Sequence, residues 1–296
     1  MNIALYARDT LANKPDYIID IVNKLKNSNS QLFICDTFYD YLKKEFSFTQ
    51  NLPTISNTSD LEKNKVDYLI SLGGDGTLLE TLSLVKKMPI PVLGINTGKL
   101  GFLTYDFNQN IADAIQLILD KKFSVEKRNL IQLLQPEINT NEINYALNEV
   151  VIHKKDKSSM LHIDILINDN FLTSFFADGV IISTATGSTA YSLSCGGPIL
   201  EPGLNGVIIT AIASHSLNAR PIVVSNQHKL SFKVSGRNPQ YTLSMDSRIY
   251  DIQPSQLNKD IILTKANHQF HLVVPHPYHF FDSLRNKLYW GTDKRF

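Results

Sequence analysis

The feature that most limits how this chain can fold is an alternation that runs for about 120 residues and then stops. Short apolar segments, "NIALYA", "QLFIC", "DYLISL" and "IPVLGIN", take turns with segments of helical periodicity. The helical segments are Asp16 to Leu25, preceded by Pro15, then "TLLETLSLVKK" and "IADAIQLILDKK". Strands that alternate with helices are joined by crossovers, so they run parallel in a layered α/β domain.

Near Phe123 the helices disappear. From there to Pro275 the chain is a series of short apolar or alternating runs cut by turn residues, among them "NYALNEVVIH", "LHIDILIND", "FLTSFFADGVIIST", "GVIITAI", "KLSFKV", "QYTLSM", "IILT" and "FHLVV". The turn "INDN" at 167–170 joins two alternating runs as a hairpin. The pattern predicts an α/β domain over 1–122 and a mainly β domain over 123–275. The tail, "FFDSLRNKLYWG", reads as a short amphipathic helix that returns to the first domain, adding 276–296 to it.

A chain of 296 residues is long enough for two such domains. Lys plus Arg (29) nearly balances Asp plus Glu (28), so no overall field points to nucleic acid or a membrane surface. Two cysteines, Cys35 and Cys195, are too few for a disulfide scaffold and fit a reducing compartment. No leader is visible at the start, and no apolar run approaches the roughly 20 residues of a membrane helix. These features predict a soluble, cytoplasmic protein.

The densest chemical signal is "GGDGT" at 73–77, set between an apolar strand and a helix. Glycine leaves backbone N–H groups open to an anion, and the helix N-terminus adds partial positive charge there. Two familiar phosphate loops are excluded. Leu79 stands where a dinucleotide fingerprint needs its third glycine. "GINTGKL" at 94–100 is one residue short of a Walker A loop, and Leu100 replaces the Ser or Thr after the lysine. A carboxylate beside phosphates is repelled unless it has work to do. Asp75 is positioned either to accept the proton of an attacking hydroxyl or to hold a phosphate-bridging metal. The plainer alternative is that Asp75 caps the helix.

"GGDGT" after a strand resembles the signature shared by NAD kinases, diacylglycerol-type lipid kinases and phosphofructokinases. Three further stretches narrow the choice to NAD kinases: "LGINTGKLGFLT" (93–104), "ALNEVVI" (146–152) and "FFADGVIISTATGSTAYSLSCGGPILEP" (175–202). "SHSLNARPIVV" and the C-terminal "FFDSLRNKLYW" are similar as well. The resemblance implies ATP-dependent phosphorylation of NAD at the 2′-hydroxyl of the adenosine ribose. It makes Asp75 the proton acceptor, with Gly73, Gly74, Gly76 and Thr77 as substrate contacts. It assigns NAD binding to Asn148, Glu149, Asp178, Thr189, Ala190, Tyr191, Ser192, Leu193, Ser194 and Ala213. It implies a magnesium ion carried by ATP rather than by a protein site, and a homodimer or homotetramer in which a neighbouring subunit can complete the site.

On pattern alone these residues have blander uses. Asn148 and Glu149 are polar residues that can satisfy a strand end, Asp178-Gly179 forms a plain turn, and "TGSTAYS" is a loop. Two positions depart from the family pattern. Phe176 stands where a basic residue is usual, and Asp246-Ser247-Arg248 replaces a "DGQ"-like turn, with Arg248 as a candidate phosphate ligand in its place. His268, His271, His276 and His279 are spaced like metal ligands, but strand geometry sends His268 and His271 to opposite faces. Surface or subunit-interface use is the preferred reading for them. The alternatives for the whole chain are a lipid or sphingoid kinase sharing the loop, and a non-catalytic dinucleotide-binding regulator.

Overall fold

The computed structural model describes residues 1–8, 16–26, 28, 30–98, 101–107, 111–138, 142–155, 159–236, 240–252, 256 and 259–289. Pro15, Lys99, Leu100 and Trp290, which the sequence reading used, lie outside them. The chain forms two compact units, Met1–Lys127 with His271–Phe296, and Arg128–Phe270.

In the first unit, β1 (Asn2–Ala7), α1 (Asp16–Lys26), β2 (Gln31–Cys35), α2 (Asp36–Phe46), β3 (Thr54–Ile55), α3 (Thr58–Lys63), β4 (Tyr68–Leu72), α4 (Asp75–Val85), β5 (Val92–Ile95) and α5 (Ile111–Leu119) follow one another. The strands pair in parallel in the order β5-β4-β1-β2-β3. They are short and nearly wholly apolar because both faces are covered. Their carboxyl ends therefore share one edge, where open α/β sheets present ligand-binding loops.

The alternation holds over the segments the sequence pattern marks, but α2 and α3 are additions to it. In α2, Asp36 stands in the first turn and Lys43 and Lys44 in the last, matching the helix dipole, while Phe38, Tyr39 and Leu42 are buried. In α3 the Asn57 side chain accepts the Asp60 N–H as an N-cap.

The second unit is built from strands. They are β6 (Phe123–Gln135), β7 (Tyr145–Ala146), β8 (Glu149–Lys154), β9 (Leu161–Ile167), β10 (Asn170–Ala177), β11 (Gly179–Thr184), β12 (Gly206–Ile212), β13 (Ile222–Ser225), β14 (Leu230–Ser235), β15 (Tyr241–Met245), β16 (Arg248–Asp251) and β17 (Ile261–Pro275). The first residues of β6 and the last of β17 belong to the first unit. A 3-10 turn (Thr186–Thr189) and the one-turn α6 (Tyr191–Ser194) interrupt the strands, and α7 (Phe280–Leu288) ends the described chain in the first unit. One sheet has the order β13-β12-β11-β8-β15-β16. Alternate residues of its strands, including Val150, Ile152, Val180, Ile182, Val207 and Ile209, share an apolar core with Leu161, Ile163, Leu230, Phe232 and Leu263 of the other strands. "INDN" forms the predicted hairpin, with Asn168 and Asp169 both at positive φ. "IILT" and "FHLVV" are one strand, β17, because the polar residues between them stay extended.

Candidate active site

Asp75 is the first residue of α4, and Gly74, not Asp75, occupies the N-cap. The acid therefore does not cap its own helix. Its Oδ2 accepts the Phe102 N–H, and its Oδ1 accepts the Leu103 N–H at 3.0 Å and the Thr104 hydroxyl at 2.9 Å. Three donors from the loop after β5 thus fix a half-buried carboxylate on the first turn of α4. An ionised carboxylate offers about four lone-pair positions, so one has no donor among the described residues. Gly101 makes this arrangement possible, because a Cβ there would stand 1.7 Å from Asp75 Oδ1.

The three glycines of "GGDGT" differ. Gly73 has φ +148°, its N–H donates to Ile95, and a Cβ on it would strike Thr77 Oγ1 at 2.4 Å. The fold itself requires that glycine. Gly74 has ordinary backbone angles and no described atom within 4 Å of where a Cβ would stand, and a Cβ on Gly76 would meet Arg8 only at 3.6 Å. Internal sterics do not explain those two glycines.

Two cations come in from the ends of the chain, Arg8 to this loop and Lys287 to the loop that pins Asp75. Arg8, just past β1, makes a two-pronged pair with Glu80 (2.5 and 2.8 Å) and donates to the Gly76 carbonyl at 3.3 Å. Lys287 on α7 holds its ammonium 4.0 Å from the centre of the Phe102 ring. The Tyr278 ring packs edge-on against Tyr105, and its hydroxyl donates to the Asp106 carbonyl.

In the second unit, Asn148 and Glu149 are buried where β8 begins. The Asp246 carboxylate, at the turn between β15 and β16, accepts the backbone N–H groups of Leu147, Asn148 and Glu149. Thr184 donates its hydroxyl to the Leu147 carbonyl and accepts the Gly187 N–H. Gly187 is a glycine because a Cβ would lie 2.2 Å from the Asn148 carbonyl oxygen. The pair "NE" and the stretch "TGSTAYS" are thereby brought together, and the Tyr191 N–H reaches the Glu149 carboxylate. Glu149 Oε2 is buried with no hydrogen-bond partner among the described residues.

Burial, with the Asp246 carboxylate adding to it, pushes Glu149 up to about 8, while the Tyr191 N–H pulls it down. The folded chain holds this group protonated where the unfolded chain, with an ordinary value of 4.5, ionises it. The stabilisation this gives is complete below the unfolded value and is lost as pH rises through the folded one. Thermal scans of the ligand-free protein are expected to show Tm falling between about pH 5 and pH 8, with a flatter profile in Glu149→Gln. An equal slope in both proteins would place the titration elsewhere.

The remaining predicted residues spread along β11. Thr189, Ala190, Tyr191, Leu193 and Ser194 follow its Thr184 end, with Tyr191 and Ser194 exposed. Ser192 is turned inward, fully buried, its hydroxyl 3.2 Å from that of Thr210. Asp178 precedes the other end and pairs with Lys154 at 2.7 Å. Ala213, at φ +45°, follows Ile212, the partner of Gly179 in the ladder. Six residues of strand, about 20 Å, separate this end from Thr184. Phe176 is exposed, with its ring 4.6 Å from that of His162.

Arg248 departs from the phosphate role raised above. Its guanidinium turns inward, donating to the carbonyls of Tyr145 (2.7 Å) and Met245 (3.2 Å) beside Asp246. It braces the turn that holds Asn148 and Glu149. The His268 ring meets Tyr145 edge-on, and among the described residues no group of three or more His, Cys, Asp or Glu side chains is placed to hold a metal.

Sequence comparison agrees with this geometry. The ATP-NAD kinase N-terminal domain matches residues 10–123 and the ATP-NAD kinase C-terminal domain residues 147–274. NAD kinases of Flavobacterium psychrophilum and Flavobacterium johnsoniae are 40% and 38% identical to it, each alignment covering 100% of both chains. The chain belongs to the NAD kinase family. Solved NAD kinase folds superpose on it as well. A yeast NADH kinase complexed with NADH gives a TM-score of 0.84 at 24% identity, covering 99% of this chain and 89% of that one. An NAD kinase from Archaeoglobus fulgidus in complex with ATP gives 0.74 at 22%, covering 98% and 99%. At those identities the two structures speak for the fold. Sequence reasoning singled out Asp75 and the Asn148-Glu149 pair, but not Gly101 and Thr104, which touch Asp75, nor Arg8, which reaches the Gly76 carbonyl, nor Lys287, which stands over Phe102.

Proposed function

We propose that this NAD kinase transfers the terminal phosphoryl group of ATP to the 2′-hydroxyl of the adenosine ribose of NAD. The hydroxyl oxygen bonds to phosphorus, the bond to the leaving ADP oxygen breaks, and Asp75 takes the hydroxyl proton. The observation that carries this reading is the carboxylate itself, fixed by Phe102, Leu103 and Thr104 with one acceptor position that no described residue fills. A base held in one orientation loses little entropy when it meets the nucleophile. Gly74 and Gly76, which the fold does not require, leave room for phosphate oxygens to approach backbone N–H groups. Magnesium enters with the nucleotide and neutralises charge on its phosphates. Glu149, buried and raised in pKa, presents a carboxyl to a ribose hydroxyl, with Asn148 and the exposed Tyr191 beside it.

Asp178 and Ala213, a strand length from Glu149, are read as contributing to the site of a second copy in a homodimer or homotetramer. Sedimentation is expected to give a mass of at least two chains, and a monomer at assay concentration would remove this assignment.

The lipid-kinase and regulator readings are not favoured, since the chain matches both NAD kinase domains and full-length NAD kinases. The test is NADP formation from NAD, ATP and Mg²⁺, run beside a panel of lipid acceptors. Phosphorylated lipid without NADP, or NAD binding without turnover, would reverse the choice.

A further inference from the structure

Lys287 is an oddity in the first unit. Its ammonium is buried and has no hydrogen-bond partner among the described residues. An ammonium has three donors and no acceptor, and burying one without an oxygen partner is unfavourable. A lysine used only for its aliphatic stem extends its head to water, and this one does not. Its surroundings explain why the head stays inside. The Tyr278 contacts to Tyr105 and Asp106 tie the segment before α7 to the loop that pins Asp75, and Leu284, one turn before Lys287, is buried. The ammonium then rests 4.0 Å from the centre of the Phe102 ring, whose own backbone N–H serves Asp75. A ring face attracts a cation without occupying its N–H donors. Burial pushes Lys287 down to about 8, and the nearby Asp75 charge acts in the opposite direction.

We propose that Lys287 is a phosphate-binding residue of this enzyme, donating to a non-bridging oxygen of the polyphosphate held on the Gly73–Thr77 loop. The assignment rests on the NAD kinase reading above. Phosphate oxygens supply the acceptors the ammonium lacks, and a point charge there opposes the negative charge that the transferring group carries. The cation–π contact sets where the charge waits before substrate arrives. Arginine is longer and planar, so it reproduces the charge without the geometry.

Two measurements test this. In the first, Lys287→Met keeps a stem over Phe102 and removes the charge. The expected result is a KM for ATP raised tenfold or more, with the Kd for NAD by calorimetry changed less than twofold, and partial recovery in Lys287→Arg. Unchanged ATP kinetics would overturn the assignment, as would equal losses for ATP and NAD, the signature of a packing defect. The second uses the wild-type chain and needs neither turnover nor a folded variant. The Lys287 ε-carbon resonance, followed by NMR in a chain carrying labelled lysine, is expected to shift on addition of inorganic triphosphate and not of NAD. An unmoved resonance would overturn the proposal. A wild-type chain that makes no NADP yet shows this shift would instead remove the kinase reading and leave the phosphate site standing.

Discussion

Asp75→Asn is expected to lower kcat for NADP formation by about 10²–10⁴-fold, the range that a positioned general base contributes, with the Kd for NAD nearly unchanged. The carboxamide is almost isosteric but does not take up a proton at neutral pH. It also disturbs the loop. The native carboxylate accepts from Phe102, Leu103 and Thr104, whereas an amide keeps one acceptor oxygen and turns an NH₂ toward a donor. One orphaned backbone N–H costs about 1–3 kcal/mol, so Tm should drop by several degrees as well. The two effects are separable. Activity measured well below the variant's Tm, with NAD affinity retained, isolates the loss of the base. Turnover within tenfold of wild type under those conditions means that another group accepts the proton.

Much of this site was visible as letters, and the reason is physical. "GGDGT" combines an apolar strand, glycines that break it and an acid, and each is a side-chain property that a sequence displays. What pins Asp75 is of another kind. Phe102 and Leu103 act through backbone N–H groups, which every residue but proline possesses, so no residue type marks them. Asp246 is a parallel case. The altered turn at 246–248 drew attention to Arg248 as a phosphate ligand, while the acid beside it gathers the N–H groups of Leu147, Asn148 and Glu149. Arg8 and Lys287 come from opposite ends of the chain, and only the tertiary fold places them near the loop.

The fold divides along similar lines. β1, β2, β4 and β5 are apolar runs bounded by turn residues, and periodicity finds such runs. Helix α2, "DTFYDYLKKEF", buries Phe38, Tyr39 and Leu42, a pattern obscured by the aromatic and charged residues between them. Helix α3 has six residues, too short for a period to repeat. In β17 the polar stretch Lys265–Gln269 reads as a break, yet the strand continues because pairing and burial on either side keep the backbone extended.

Gly101→Ala is the substitution expected to do most damage for the fewest atoms. The added methyl carbon would stand 1.7 Å from Asp75 Oδ1 and 2.6 Å from Thr104 Oγ1, well inside contact distance. Gly101 has no positive φ, so its backbone accepts alanine and the conflict is one of space alone. Relief requires the carboxylate to leave its three donors or the 101–104 loop to retreat. Either displaces the base by about 1 Å or more, and a shift of that size in a reacting group is enough for roughly a 100-fold loss of rate. Thr104 and Tyr105 pack on β5, but the pairing of β5 with β4 and of β4 with β1 does not pass through this contact, so circular dichroism should change little. Gly203→Ala is the control, because no described atom lies within 4 Å of its Cβ position, and its turnover should stay within about twofold of wild type, as for a surface change of small effect. If Gly101→Ala turned over NAD at the wild-type rate, the Asp75 carboxylate would not be held by this loop in the working enzyme, and the proton acceptor would have to be sought in another arrangement of the same segment.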